Sequence, residues 1–475
     1  MRVLGFLSVI TLTCITSPGN LAERDDLTKL ASHISPAQLM RTVRELSNFD
    51  GRQSGTAGGQ ATAAYVAGRL PEATLQSFPI TTVQIEPLLR AVFQVDRRVV
   101  PLEKGQDFLP IINVAATGQI SAPVVFVGYG IAAPGQGLDE YQGLSVAGKV
   151  VLFLRGQPKG FTGRVSLVDK VRTARAKGAV AFLTVTGPIL SPYEERRGMT
   201  TRPVALYEGT ASATLPGLWI TPAAADTLLQ PVGRSVRSFQ EEMDRQLAVR
   251  SGDTATELIL DLVARPLDGT ASNVLALWPG SDPALRDETI ILAAHHDHFG
   301  IQAGLMFPGA DDNASGTAVL LEIARLLATT GSRPKRSLLF LSFAGEEQGL
   351  LGSRFYVAHP RYPLGAVKAM INVDHAGIGN GRIMVGLSKL EKAVAQAAAE
   401  KVAAADKLEL YGLFPGGDHV PFAEAGLPTA AIVTAGSHPD FHQPTDTPEK
   451  IKPELLATIT RYTLSLVWAL ANNEQ

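Results

Sequence analysis

The chain has 475 residues, 45% of them hydrophobic and 19% charged, with a formal net charge of −2. That length exceeds what one hydrophobic core usually serves, so two domains, or one large domain carrying an insertion, are expected. The near-neutral balance excludes the broad basic surface that nucleic acid requires, and a single cysteine, Cys14, excludes a disulfide framework.

The opening residues "MRVLGFLSVITLTCIT" join an early Arg to an apolar run, followed by Ser17-Pro18-Gly19. This is the anatomy of a secretory signal peptide over residues 1–22, and the run is too short for a membrane span. A secreted or periplasmic protein is expected, with no stable membrane insertion once the signal is removed. Ser35-Pro36 then predicts a helix start, with Leu39, Val43 and Leu46 at helical spacing, and a second helix covers Gly59 to Leu70. From about Ser121 the texture changes to short apolar runs, "APVVFVGYGI", "GKVVLFLRG" and "GAVAFLTVTG", punctuated by glycine and proline. They predict a small β-rich domain over residues 119–250, inserted between an N-terminal part (23–118) and a C-terminal part (251–475) of a larger one.

Beyond residue 254 strand-like runs alternate with helical ones. Strands are predicted at Asn273–Leu277, Thr289–Ala294, Ser337–Phe343, Val367–Val373, Arg382–Leu387 and Thr429–Val433. Helices are predicted at Thr317–Leu327, Leu390–Ala404 and Leu455–Leu470. Such alternation implies an α/β fold whose largely parallel sheet is covered on both faces. The short basic run Arg333-Pro334-Lys335-Arg336 reads as a solvated loop, and Trp278 and Trp468 as core.

Ligands of such sheets sit beyond the carboxyl ends of the strands, and there the polar residues gather. "TIILAAHHDH" leaves its strand at His295, "SLLFLSFAGEE" at Glu346 and Glu347, and "VKAMINVDH" at Asp374. The loop "PGADDNASG" carries Asp311 and Asp312 into a helix capped by Ser315, and "GSHPDFHQPTDTPEKI" follows the last strand. Ionised side chains are rarely buried unless paired or bound to metal, so this convergence points to a metal site. Imidazoles with carboxylates and no thiolate suit zinc, with manganese or cobalt as alternatives. The carboxylates outnumber the needs of one zinc, which favours two ions sharing a carboxylate. No HExxH helix and no GxSxG turn occurs, which disfavours a thermolysin-like zinc site and serine catalysis.

These motifs, in this order, resemble the co-catalytic dizinc exopeptidases that include the bacterial leucyl aminopeptidases and glutamate carboxypeptidases. The resemblance covers most of the chain after residue 254, and the middle segment resembles a protease-associated domain. It implies a three-layer α/β sandwich with a mixed, mostly parallel central sheet, and two zinc ions per chain. It assigns His295, Asp312 and Asp374 to one ion, and Asp312, Glu347 and His442 to the other. Glu346 is then the general base and Asp297 the acceptor that orients His295, and the peptide bond after Asp312 is cis. The implied reaction is hydrolysis of a peptide substrate by activated water, with an aminopeptidase expected. A glutamate-type carboxypeptidase, a glutaminyl-cyclase-like acyl transferase and a non-catalytic receptor-like binding protein are the alternatives.

Other residues of these segments have weaker assignments. His296 is expected to be packed and His298 to line the pocket rim, while Asp311 is expected to be structural. Asp446 either orients His442 or caps a turn, and His438 belongs to a turn or to the pocket. In "GGDHVPF", Gly417 stands where the family usually has serine, which leaves the roles of Asp418 and His419 open.

Overall fold

The apolar strand runs assemble as an eight-stranded mixed sheet in this computed structural model, which describes residues 26–112, 117–190, 195, 200–207, 215–246 and 251–472. The signal-peptide reading, with Cys14, lies outside the described residues. The spatial order is Thr74–Ile85, Ala264–Trp278, Ser337–Phe343, Thr289–His295, Val367–Val373, Thr429–Thr434, Ile383–Ser388 and Leu408–Tyr411. The four central strands run parallel to one another. Antiparallel pairings flank them on both sides, and the outermost pair, Ile383–Ser388 with Leu408–Tyr411, is parallel again.

Alternation along each strand explains why these runs are apolar throughout. Ile290, Leu292 and Ala294 join a core with the helices Pro36–Leu46, Gly316–Thr330, Lys392–Lys401 and Pro453–Asn472. Ile291 and Ala293 face the opposite core, where Tyr356 of helix Leu351–Ala358 and Phe422 of helix His419–Glu424 pack. Burying both faces of a strand demands an unbroken hydrophobic run, and three layers result. The first helix starts as its sequence requires: Ser35 Oγ accepts the Gln38 N–H, with Pro36 in the first turn. Ser315 departs from its expected capping role. It precedes helix Gly316–Thr330, but its hydroxyl donates to Asp311 O at 2.6 Å.

A second, nine-stranded sheet forms the other domain. Its strands include the three runs after Ser121, but also Arg90–Val95, Arg98–Pro101 and Phe108–Ile112 before them and Gly252–Leu262 after them. The sheet is therefore wider than the 119–250 segment. Gly252–Leu262 pairs with Arg90–Val95 on one side and Gly118–Phe126 on the other, so its place depends on partners more than a hundred residues away. Main chain enters and leaves this domain together, because Ile85 and Ala264 are register partners in the larger sheet. The hairpin of Gly300–Gln302 and Leu305–Phe307 packs Phe299, Ala303 and Phe307 into the core of the second domain. The basic run is also not wholly solvated: Arg336 is buried, with Nε 2.6 Å from Glu288 Oε2.

Candidate metal centre

Each candidate ligand leaves the carboxyl end of a central strand or a loop beside it. His295 ends Thr289–His295, and Thr317 Oγ1 holds its carbonyl at 2.7 Å. Asp374 follows Val367–Val373, and Glu346 and Glu347 follow Ser337–Phe343. Asp312 sits in the turn before helix Gly316–Thr330, with the Asp312–Asn313 peptide cis. The Asn313 side chain bonds Val373 O at 2.9 Å and the Gly316 N–H at 2.9 Å, which fastens that turn to the strand bearing Asp374.

The side chains meet as two groups sharing one member. His295 Nε2 lies 3.3 Å from Asp312 Oδ1 and 3.5 Å from Asp374 Oδ1. His442 Nε2 lies 3.0 Å from Asp312 Oδ2 and 3.3 Å from Glu347 Oε2. Asp312 therefore turns one oxygen toward each group. Donor atoms this far apart have the spacing of neighbouring ligands on a single ion with bonds of about 2.0–2.2 Å. His295 Nε2 is buried without a hydrogen-bond partner, an orphan that a metal ion would satisfy. The donor chemistry and the geometry both fit zinc.

Electrostatics describe a site that needs a cation. Burial, reinforced by Asp418, Asp374 and Asp312, holds the Glu346 carboxyl well above the usual range. Burial and the nearby Asp312 and Glu346 do the same to Glu347. Burial opposes charging His295, yet Asp374 and Glu346 overcome it and raise its pKa. Asp312 goes the other way: burial opposes its charge, but His375, His295 and His442 hold it far below the usual carboxylate range. Carboxylates crowded in low dielectric repel one another, and a divalent ion reverses that balance.

The surrounding residues separate into distinct supports. Asp297 Oδ1 accepts the Glu346 N–H at 3.2 Å, which ties the two loops together. It lies 3.6 Å from His295 Nδ1, beyond hydrogen-bond length, while the Asp297 carbonyl is nearer at 3.3 Å. His296 is packed as expected, with Nδ1 2.9 Å from Ser342 Oγ. His298 does not sit at a rim: it is fully buried, with Nδ1 2.6 Å from Glu347 Oε1. Asp311 is structural, as its Oδ1 accepts the N–H groups of Gly377 and Ile378 and its Oδ2 meets His438 Nδ1 at 2.6 Å. Asp446 neither orients His442 nor simply caps a turn. Its carboxylate accepts the N–H groups of Asp311 and Asp312, shaping the shared-ligand loop from below. Gly417 has φ +98, a left-handed conformation that favours glycine, and Asp418 beside it is buried, which pushes its carboxyl up to about 7.

Sequence reasoning passed over Arg52. It is fully buried, and its guanidinium donates to the carbonyls of His296 (2.9 Å), Gly309 (2.8 Å) and Pro308, reaching Asp312 O at 3.4 Å. Those carbonyls flank the two loops that carry His295 and Asp312, so Arg52 sets the distance between them. Ala205 was equally hidden. Its carbonyl accepts from His442 Nδ1 at 3.0 Å, across the domain boundary.

Fold and site together define the class, which is that of the metallopeptidases. More narrowly, residues 273–467 match the model of Peptidase family M28. Aminopeptidase YwaD of Bacillus subtilis (strain 168) is 33% identical over 184 residues, which cover 36% of this chain and 38% of that protein. The alignment thus spans well under two thirds of that relative. A probable leucine aminopeptidase of Trichophyton verrucosum (strain HKI 0517) is 26% identical over 315 residues, covering 59% of this chain and 81% of the relative. Among solved structures, an aminopeptidase from Aneurinibacillus sp. strain AM-1 superposes with a TM-score of 0.68 at 20% identity, covering 94% of this chain and 97% of its own, and so shares the fold.

Proposed function

We propose that the protein is a zinc aminopeptidase that releases residues from the free N-terminus of peptides. The observation that carries this reading is the position of Asp312, with one carboxylate oxygen among His295 and Asp374 and the other among Glu347 and His442. The aminopeptidase activity named for the relatives supports the substrate class. Two zinc ions bound there would polarise the scissile carbonyl and lower the pKa of a water near it.

The chain's own groups supply the remaining steps. Glu346 and Glu347 each have an oxygen within 4.8 Å of a His295 ring nitrogen. Glu346 is not among the close contacts that define either ligand group, which leaves its carboxylate free for protons. It takes one from the attacking water and returns it to the leaving amine. Asp297 steadies this base by accepting its backbone N–H. His298 and Arg52 hold Glu347 and the Asp312 loop in register. Export directed by residues 1–22, and a protease-associated identity for the second domain, belong to the same proposal.

Aminoacyl reporters and N-blocked peptides, offered in parallel to the zinc-loaded protein, test the substrate class. Hydrolysis is expected with the first set, and hydrolysis of the blocked set alone would sink the aminopeptidase reading. Glu346→Gln should retain both ions while losing about 10²–10⁴-fold in turnover, the usual contribution of a general base. Loss of metal instead would mean that the two glutamates exchange roles.

A further inference from the structure

We infer that segment 200–207 of the second domain is a positioning element for His442, so that this domain sets the metal affinity of one half of the centre. The inference rests on the two-metal reading above. His442 is the one ligand whose imidazole is held from outside the larger domain. Its Nδ1–H donates to Ala205 O at 3.0 Å, and its carbonyl accepts the Ala205 N–H at 3.0 Å. This reciprocal pair fixes the backbone and the ring at once. With the proton on Nδ1, Nε2 presents its lone pair toward Asp312 and Glu347.

Two further contacts of the same segment secure that pair. Arg202 Nη1 lies 3.1 Å from Asp440 Oδ1 and 3.3 Å from Pro439 O, just before His442 in the chain. The Tyr207 ring stacks on Phe299, 5.2 Å between centroids at 10°, and Phe299 meets His442 edge-on at 4.6 Å. The Tyr207 hydroxyl accepts from Gln53 Nε2 at 2.7 Å, which anchors the stack to the larger domain. Among the described residues the other half of the centre has no such dependence. The nearest acceptor to His295 Nδ1 is Asp297 O, two residues along the same chain segment. A disturbance of segment 200–207 should therefore reach one metal position and spare the other.

Calorimetric titration of the metal-free full chain with zinc separates the two binding steps, and His442→Ala identifies the step that belongs to His442. In Arg202→Ala/Tyr207→Ala that step should weaken by about tenfold or more, the usual effect of losing a ligand's supporting contacts, while the other step stays unchanged. Tyr207→Phe in place of Tyr207→Ala keeps the stack and should recover most of the affinity. If the double variant does not fold, Arg202→Ala alone carries the comparison. Its side chain is 43% exposed, and a shift of about threefold in the His442 step is expected. Equal weakening of both steps, or no change in either, overturns the positioning role while leaving two metals in place. A single binding step in the unmutated protein overturns the two-metal reading and this inference with it.

Discussion

The second domain and the candidate metal centre bury ionisable groups in opposite ways. In the second domain Glu140 is buried, and its two oxygens accept the N–H groups of Tyr129 and Ile131, each at 2.9 Å. Gly128 makes room for it: at φ +58, any Cβ there would stand 1.9 Å from Glu140 Oε1. Nearby, buried Lys170 donates to the Leu154 and Gly156 carbonyls. These groups are satisfied by adjacent main chain. In the larger domain Asp312, Glu346 and Glu347 converge on His295 and His442, and His295 Nε2 has no hydrogen-bond partner. Burial alone therefore says little about function. Convergence without internal satisfaction is the signature of a ligand.

Replacing the shared carboxylate tests this contrast most severely. Asp312→Asn should remove ligands from both half-sites at once, so that metal analysis finds one ion or none and hydrolysis falls to background. Full metal content would break the contrast. Arg52→Leu comes next, because it strips the guanidinium from the carbonyls of the buried residues His296 and Gly309. Denaturant unfolding should register a loss of about 3 kcal/mol or more, since each buried acceptor left unsatisfied costs about 1–3 kcal/mol. A negligible loss would show that these carbonyls find other donors.

The smallest effect belongs to the second domain. Glu140→Gln leaves one of the two main-chain donors facing an amide N–H, and should cost about 1–3 kcal/mol in stability without touching metal content. Burial pushes the Glu140 carboxyl from 4.5 up to about 7. A raised folded-state pKa means that the contribution of this group is full below pH 4.5 and lost as pH rises through 7. The stability gap between the unmutated protein and Glu140→Gln should narrow across that window. A gap that widens instead would mean that the main-chain donors outweigh burial.

Much of the larger domain was legible in the sequence because a single strand carries both signals. The run before His295 is apolar on every residue, as a strand covered on both faces must be, and its polar end marks the site. Ser337–Phe343 and Val367–Val373 coincide with their predicted limits for the same reason. What stayed hidden was carried by main chain or by distance. Ala205 acts through its carbonyl and N–H, which every residue but proline possesses, so no side-chain pattern could reveal it. Arg52 closes a short turn, and apart from Leu46 O its acceptors lie more than 240 residues away. His298 shares a motif with His295 but is enclosed by the hairpin that follows it, and enclosure depends on packing between domains. Among the early strands of the second sheet, Arg90–Val95 pairs with Gly252–Leu262 beyond the insertion and Phe108–Ile112 with Gly217–Ile220 inside it, so neighbouring sequence held only part of the signal.

The paired strands at Ile85 and Ala264 have an architectural consequence. A tight turn between these two positions would close the larger sheet with every one of its strands intact, so the whole second domain hangs from a hairpin neck that tolerates exchange of its cargo. What such an exchange would forfeit is the cover over Phe299, Ala303 and Phe307 and the reach of one short segment back across the boundary, and that reach makes the appendage a working part.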